Sequence, residues 1–165
     1  MYEKSVVLLN KAIADELTAV HQYMYFHFHL DDQGFDLLAG LFKKTAIEEM
    51  LHIEEYAERA LFLKGEVELV ASAEVSKITD VRKMLEMARS MEEAAIKDYN
   101  NFAIECSKHA DSVTKKLFED IVVEEERHYD RFDTEIDNLE RFGSDYLALQ
   151  SIERSKSIAS GTSEE

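Results

Sequence analysis

The sequence is poor in the residues that interrupt helices and form tight turns. Its 165 residues include no proline and five glycines, together with no tryptophan and a single cysteine. A sheet protein with many turns would need more proline and glycine, so the composition favours long, uninterrupted helices and an all-α fold. Cys106 cannot form a disulfide within the chain, which fits a reducing compartment.

Positive charge and long apolar runs are also scarce. Lys and Arg number 19 against 35 Asp and Glu, which gives a net charge of −16. Nucleic-acid binding needs clustered Lys and Arg, so we expect the protein not to bind nucleic acid. The negative charge either attracts cations or keeps the surface solvated. Residues 1–30 lack the layout of a secretory signal, and no apolar run reaches membrane length. We therefore expect a soluble, cytoplasmic protein that binds no membrane.

Apolar residues recur at three- and four-residue steps along four long segments, which is the pattern of helices with one buried face. The predicted helices span residues 3–30, 35–64, 80–108 and 113–142, and a short fifth helix follows at 145–158. Residues 66–77 have no such pattern and are predicted to form a long crossover between the second helix and the third. No linker divides the chain, so we predict one domain over residues 1–158 and a flexible polar tail over 159–165.

A motif of the form Glu-x-x-His occurs twice, once in the second predicted helix and once in the fourth. Glu49 and His52 form the first copy, Glu125 and His128 form the second, and corresponding members are 76 residues apart. Residues three apart lie on one face of a helix, so each copy places a carboxylate beside an imidazole. The same offset relates two further carboxylates, two tyrosines and several apolar positions, among them Glu16 with Glu92, Tyr23 with Tyr99, and Phe42 with Phe118.

The repeat predicts that four Glu and two His meet at one interior point of a four-helix bundle. The alternative is a set of solvent-facing charges, which conflicts with the alignment of all six residues with apolar stripes. Buried carboxylates repel one another unless cations offset their charge, and two divalent ions would do so. Carboxylate and imidazole ligands favour iron or manganese, with zinc left open, and ferritin-like di-iron bundles use this set of ligands.

The repeat also predicts a role for each ligand. We expect Glu16 and Glu92 to be terminal ligands, one for each ion, and Glu49 and Glu125 to bridge the two ions. One imidazole would complete each ion, from His52 and His128. Two Fe(II) ions held in this way would each pass one electron to O₂ or H₂O₂, which is the chemistry of a ferroxidase. Nearby, Tyr23 and Tyr99 either hydrogen-bond to ligand carboxylates or only pack in the core. Glu48 and Glu124 either orient the histidines or face solvent.

The repeat fails at Met50, because its counterpart is Glu126. One residue beyond a ligand position, the Met50 side chain is turned by about 100° away from the metal site and toward the outside of the bundle. Leu17, His21 and Met24 form a comparable outward face on the first helix. Such a patch is either a subunit interface or a haem site with a methionine ligand, for which His21 is a second conceivable ligand. On these residues alone, apolar packing between subunits is favoured.

Six segments, spread from the first predicted helix to the fourth, together match a known family. They are Asp15-Glu16-Leu17, His21-Gln22-Tyr23, Glu48-Glu49-Met50-Leu51-His52, Glu58-Arg59-Ala60-Leu61-Phe62-Leu63-Lys64-Gly65, Glu92 and Glu124-Glu125-Glu126-Arg127-His128. Their combination resembles bacterioferritin. The resemblance implies a ferritin-like four-helix bundle whose six predicted ligands form a ferroxidase centre. It also implies that Met50 ligates haem, with one methionine from each of two subunits across a two-fold axis.

Members of that family form hollow shells of 24 subunits, built from dimers, that store ferric mineral. The resemblance therefore implies a homo-oligomer that oxidises Fe(II) with O₂ or H₂O₂, stores the product, and releases iron with the help of an electron-donor protein. The sequence departs from the family in two respects. Lys44 stands where some members carry a histidine on the inner surface, and there is no tryptophan for an electron-transfer scheme that uses one.

Three other functions fit the same residues less well. A di-iron peroxidase resembling rubrerythrin would normally add a four-cysteine iron domain, which a chain with one cysteine cannot supply. A di-manganese catalase is a more distant alternative. A haem-binding structural bundle with a vestigial metal site would not need six intact ligands.

Overall fold

The computed structural model describes residues 2–160, and this part of the chain is built from helices joined by short links and one long crossover. The five helices are α1 (Glu3–Asp32), α2 (Asp36–Phe62), α3 (Val81–Lys108), α4 (Ser112–Phe142) and α5 (Ser144–Ser160). The predicted all-α fold, with four long helices and a short fifth, is confirmed. None of these helices is long and apolar enough to cross a bilayer.

The C-terminal boundary differs slightly from the prediction. Ala159 and Ser160, which the sequence analysis assigns to the tail, are the last residues of α5. The remaining residues of the predicted tail, 161–165, lie outside the described residues. Near the middle of α5, Gln150 is 2% exposed and its Oε1 accepts a hydrogen bond from the Leu38 backbone N–H at 3.3 Å. This contact joins α5 to the first turn of α2.

The long helices pack mainly as two pairs, α1 with α2 and α3 with α4. The crossover between the pairs, residues 63–80, follows α1 for most of its length. Side chains of α1 hydrogen-bond to it at three places: Asn10 to Glu66, Thr18 to Ser72, and Gln22 to Ser76. Because the crossover passes from one end of the bundle to the other, α3 begins beside the end of α1 and runs parallel to α2.

Two apolar clusters fill the bundle, one toward α5 and one at the opposite end. The cluster toward α5 includes Tyr23, Phe42 and Phe132, which lie within 5.7 Å of one another by ring centroids. The other cluster includes Ile13 and Phe118. On each long helix a charged or imidazole side chain lies between residues of the two clusters, so the polar groups form one layer with apolar side chains on both sides.

Gly65 has a different role from the one its position after α2 suggests. The residue with left-handed backbone geometry at this helix end is Lys64, with φ of 64°. A Cβ at Gly65 would lie 2.4 Å from Cγ1 of Val6 on α1. Glycine at this position therefore permits close approach of the chain to α1 at the start of the crossover.

The two helices of the second pair are capped by aspartates, Asp80 and Asp111, but the caps differ in their surroundings. Oδ1 of Asp80, on the surface, accepts the Lys83 backbone N–H at 2.9 Å and has no other hydrogen-bond donor among residues 2–160. Asp111 is 2% exposed, and it accepts the backbone N–H and hydroxyl of Thr114 at 3.2 and 2.7 Å. Arg59 on α2 also donates to Asp111, at 2.9 Å. Asp111 therefore ties α4 to α2, whereas Asp80 serves α3 alone.

We expect Asp111→Ala to destabilise the fold by about 2–3 kcal/mol, because it removes a cap and leaves the Arg59 guanidinium without its carboxylate. Asp80→Ala, the matched control, should cost about 0.5–1 kcal/mol. Urea unfolding followed by circular dichroism at one protein concentration measures both losses. Equal losses of stability in the two variants would contradict the conclusion that Asp111 joins two helices whereas Asp80 caps one.

The stability that Asp111 contributes should decrease at low pH. Burial raises the pKa of Asp111, but hydrogen bonds from Thr114 and the charge of Arg59 outweigh burial and leave the pKa lowered. A lowered folded pKa gives stability that is present above the unfolded value of about 3.9 and is lost as pH falls through the folded value. The difference between wild type and Asp111→Ala should therefore narrow in acid.

Candidate metal centre

The structure brings all six predicted ligands together in the polar layer. Each long helix contributes: Glu16 from α1, Glu49 and His52 from α2, Glu92 from α3, and Glu125 and His128 from α4. None of the six is more than 5% exposed. Charged side chains are seldom buried to this extent unless they are paired or bound to a metal.

The six residues form two overlapping groups, each with the make-up of a metal site. Within each group the ligand atoms all lie within 4.8 Å of one another. One group is Glu16, Glu49, His52 and Glu125, and the other is Glu49, Glu92, Glu125 and His128. The groups share Glu49 and Glu125, the two residues that the sequence analysis assigns as bridges.

Each shared carboxylate directs one oxygen to each imidazole. Oε2 of Glu49 lies 2.9 Å from Nδ1 of His52, and its Oε1 lies 2.9 Å from Nδ1 of His128. Glu125 does the same with its Oε1 and Oε2, at 3.0 and 3.6 Å. A carboxylate that bridges two ions presents its oxygens in this way.

The contacts between these groups are close in distance but wrong in direction for hydrogen bonds. Both oxygens of Glu49, Oε1 of Glu125 and Nδ1 of both histidines are buried and have no hydrogen-bond partner within the described residues. Buried polar atoms are seldom left in this state. Their lone pairs converge on the space between the side chains, which is the arrangement that a cation requires, so the residues fit a pair of metal ions.

The electrostatics of the layer also call for positive charge. Burial raises the pKa of Glu16 and Glu92, and the neighbouring carboxylates raise it further. Burial lowers the pKa of His52, but Glu125, Glu16 and Glu49 outweigh burial and raise it to about 12. The pKa of His128 is raised for the same reason. The layer thus balances its charge by holding protons, and these are the protons that divalent ions would displace.

Two buried tyrosines support the terminal carboxylates, and they do so across the pairs of helices. Tyr99 on α3 donates its hydroxyl to Oε1 of Glu16 on α1, at 2.8 Å. Tyr23 on α1 donates to Oε1 of Glu92 on α3. Of the two alternatives that the sequence left open for these tyrosines, the structure shows the hydrogen bonds to ligand carboxylates, in addition to packing in the core.

Glu48 and Glu124, which the repeat relates to each other, have different partners. Oε2 of Glu48 lies 3.0 Å from Nε2 of His128 and accepts a hydrogen bond from Arg131 at 2.6 Å. Glu124 pairs instead with Arg127 on its own helix. Sequence reasoning did not identify Arg131, although a signal was present: the 76-residue offset relates it to Glu55, so the charge is reversed between the halves.

A cavity of about 200 Å³ reaches the polar layer between α1 and α3. All four ligand carboxylates line it, and Asp15 and Asp98 line it nearer the surface. Burial raises the pKa of Asp15, a hydrogen bond from Ser72 opposes the rise, and the charge of Asp98 adds to it. The cavity is therefore a negatively charged passage suited to a cation.

Met50 lies apart from the layer, on the outer side of α2. Its side chain is 51% exposed, and its neighbours Ile47 and Leu51 are each 46% exposed. His21 on α1 is also exposed. The outward direction predicted for Met50 is confirmed, and the surface around it is apolar, as an interface or a haem site would require.

A four-helix bundle that gathers two Glu-x-x-His motifs and two further glutamates between its helices defines a ferritin-like carboxylate-bridged metal protein. Comparison with known proteins agrees: the family of ferritin-like domains matches residues 6–142. Bacterioferritin from Desulfovibrio desulfuricans is 38% identical over 145 residues, which cover 88% of this chain and 81% of that protein. Bacterioferritin from Rhodobacter capsulatus is 34% identical, with coverages of 88% and 91%.

A solved structure gives the same result. The crystal structure of D. desulfuricans bacterioferritin, which describes the di-iron site of that protein in different catalytic states, superposes with a TM-score of 0.88 at 37% identity. The superposition covers 90% of this chain and 86% of the other. The chain belongs to the bacterioferritin family.

We expect Glu92→Gln to lose most of the stabilisation that an ion beside His128 gives and to keep that of an ion beside His52, with little change in the stability of the protein without metal. Glutamine resembles the protonated carboxyl that the raised pKa of Glu92 favours, but it is a poor metal ligand. Each Co(II) ion bound at about 100 times its dissociation constant should stabilise the wild type by about 2.7 kcal/mol. Thermal unfolding with and without Co(II) measures the effect.

Glu93→Gln is the matched control, because Glu93 is the next residue of α3 and is exposed. It should respond to Co(II) as the wild type does. Equal responses of the Glu92 and Glu93 variants would contradict a metal site in the layer.

Proposed function

We propose that this protein is an iron-storage ferroxidase, which oxidises Fe(II) at a di-iron centre and stores the ferric product in a hollow homo-oligomer. The observation that carries the proposal is the pair of four-residue groups that share Glu49 and Glu125, each of which directs one oxygen to each imidazole. Two iron ions in these groups would each have two shared oxygens, one carboxylate of their own and one imidazole. This is the ligand set of ferritin-like di-iron proteins.

The residues take the roles expected from the repeat. Those with a role at the first ion alone are Glu16 and His52, those at the second ion alone are Glu92 and His128, and those at both are Glu49 and Glu125. Hydrogen bonds from Tyr99 and Tyr23 restrict the rotation of Glu16 and Glu92. The two terminal carboxylates are therefore held ready, and this lowers the cost of ordering them when a metal binds.

The bound pair supplies two electrons: each Fe(II) is oxidised to Fe(III), and O₂ takes two electrons and two protons to give H₂O₂, or H₂O₂ takes the same to give two waters. The chain's own part is to collect the ions and keep them together. The cavity between α1 and α3 offers a path from the surface to the four carboxylates, past Asp15 and Asp98. A net charge of −16 favours the approach of Fe(II).

The proposed assembly is a shell of 24 subunits built from dimers. Exposed apolar side chains on the outer side of α1 and α2, such as Phe28, Leu37 and Met50, at 62, 66 and 51% exposure, support burial against other subunits. The named relatives of this chain are bacterioferritins. We place the assembly in the cytoplasm and expect an electron-donor protein to release the stored iron.

The central test is aerobic addition of Fe(II) to the purified metal-depleted protein. We expect rapid oxidation, followed by absorbance, and a soluble iron-loaded particle far larger than a dimer by light scattering. Glu49→Gln should slow oxidation at least about 100-fold, because it replaces one bridging oxygen by an amide nitrogen and removes a negative charge that both ions share. Glu54→Gln, an exposed residue of the same helix with the same charge change, should not slow it.

A dimer-sized species that consumes hydrogen peroxide and forms no mineral would overturn the proposal. That result would favour the di-iron peroxidase instead.

Haem binding by Met50 is the second part of the proposal, supported by its outward position on an apolar surface. We expect Met50→Leu to abolish haem absorbance and to leave Fe(II) oxidation intact, because Met50 is not among the six ligands. Met24→Leu, on the comparable face of α1, is the control and should keep the haem. Loss of haem in a His21→Ala variant, with haem retained in Met50→Leu, would assign the ligand to His21.

A further inference from the structure

The two halves of the metal centre are related by the repeat, yet their histidines are held differently. Both imidazoles direct Nδ1 toward the shared carboxylates. Nε2 of His128 lies 3.0 Å from Oε2 of Glu48, whereas Nε2 of His52 has no hydrogen-bond partner within residues 2–160. The hydrogen bond to Glu48 selects the tautomer of His128 that carries its proton on Nε2 and leaves Nδ1 free to bind a metal.

Arg131 strengthens this arrangement. It donates to the same oxygen of Glu48 at 2.6 Å, and the two side chains are about equally buried, at 27 and 29% exposure. Glu48 comes from α2 and Arg131 from α4, so the contact joins two helices around His128. The carboxylate that orients His128 is therefore itself held in place.

Two charge differences explain why His52 lacks the same support. The position that corresponds to Arg131 in the other half is Glu55, which repels Glu124 where Arg131 attracts Glu48. The position that corresponds to Leu51 is Arg127, which draws Glu124 along its own helix. As a result, His52 borders an open cleft lined by acidic side chains, among them Glu55 and Glu124.

We propose that Glu48 and Arg131 are positioning residues for His128, and that they make the two metal positions unequal: the ion beside His128 is bound more tightly, and the ion beside His52 is the one that exchanges. This inference rests on the proposed function only in requiring that two ions bind in the layer. A carboxylate that orients a ligating histidine typically accounts for about 10- to 100-fold in metal affinity.

The test is a titration of the metal-depleted protein with Co(II), followed by calorimetry and visible absorbance. We expect wild type to bind two ions per chain in two resolved steps. Glu48→Gln should weaken the first step about 10- to 100-fold, so that the two steps merge. Glu124→Gln, the repeat-related control with the same charge change, should leave both steps as they are.

A second readout is specific to positioning. Proton NMR of the Co(II)-loaded protein resolves the imidazole N–H of each ligating histidine, and a hydrogen-bonded N–H exchanges slowly with water. We expect one slow and one fast signal in wild type and two fast signals in Glu48→Gln. Arg131→Leu keeps the Glu48 carboxylate, which accepts the hydrogen bond from His128, but removes the side chain that holds this carboxylate in place. It should therefore speed exchange of the slow signal, which tests the role of Arg131 separately from that of Glu48.

The converse variant transfers the support to the other half. Glu55→Arg combined with Arg127→Leu gives the surroundings of His52 the residues found at the corresponding positions around His128, and it should strengthen the second binding step and slow the fast N–H signal. Equal effects of Glu48→Gln and Glu124→Gln, or two equal binding steps in wild type, would overturn the inference and leave the di-iron proposal standing. Fewer than two ions bound by wild type would overturn both.

Discussion

The structure depends on the burial of four carboxylates and two imidazoles between two apolar clusters. Carboxylates that lie this close together in a buried site repel one another, and the removal of each charged group from water is unfavourable. Burial and the neighbouring carboxylates raise the pKa of Glu16 and Glu92, and the same carboxylates outweigh burial and raise the pKa of both histidines. Two divalent cations would replace the protons and satisfy the unpartnered oxygens together. The core of the fold thus contains buried carboxylates whose negative charge must be balanced by protons or metal ions.

The pairing of the helices determines where these carboxylates and imidazoles lie. Each pair, α1 with α2 and α3 with α4, supplies one lone glutamate and one Glu-x-x-His motif. The crossover along α1 sets α3 against α1, and in this arrangement Tyr23 of α1 donates to Glu92 of α3 while Tyr99 of α3 donates to Glu16 of α1. The hydrogen bonds therefore cross the same interface as the metal site. They stabilise the association of the two pairs as well as the orientation of the ligands.

Approximate symmetry leaves room for division of labour. The repeat keeps the six ligand positions equivalent, while the residues around them have diverged in charge, most clearly at Arg131 and Glu55. A difference of this kind affects only the support of the histidines and leaves the ligand set complete. A storage protein needs a site that both retains and releases iron, and unequal support of two otherwise similar positions is one physical means to that end.

The sequence by itself determined the helices, the inward faces and the convergence of the six predicted ligands. These follow from local rules: helical periodicity fixes which residues share a face, and an offset of 76 residues carries the same register into the second half. Only the tertiary structure decided which oxygen of Glu49 faces which histidine, which tyrosine supports which carboxylate, and why Glu48 reaches His128 while Glu124 does not. These contacts join different helices, and their geometry depends on how the helices approach one another and on charges far apart in sequence, such as Arg131 beside Glu48.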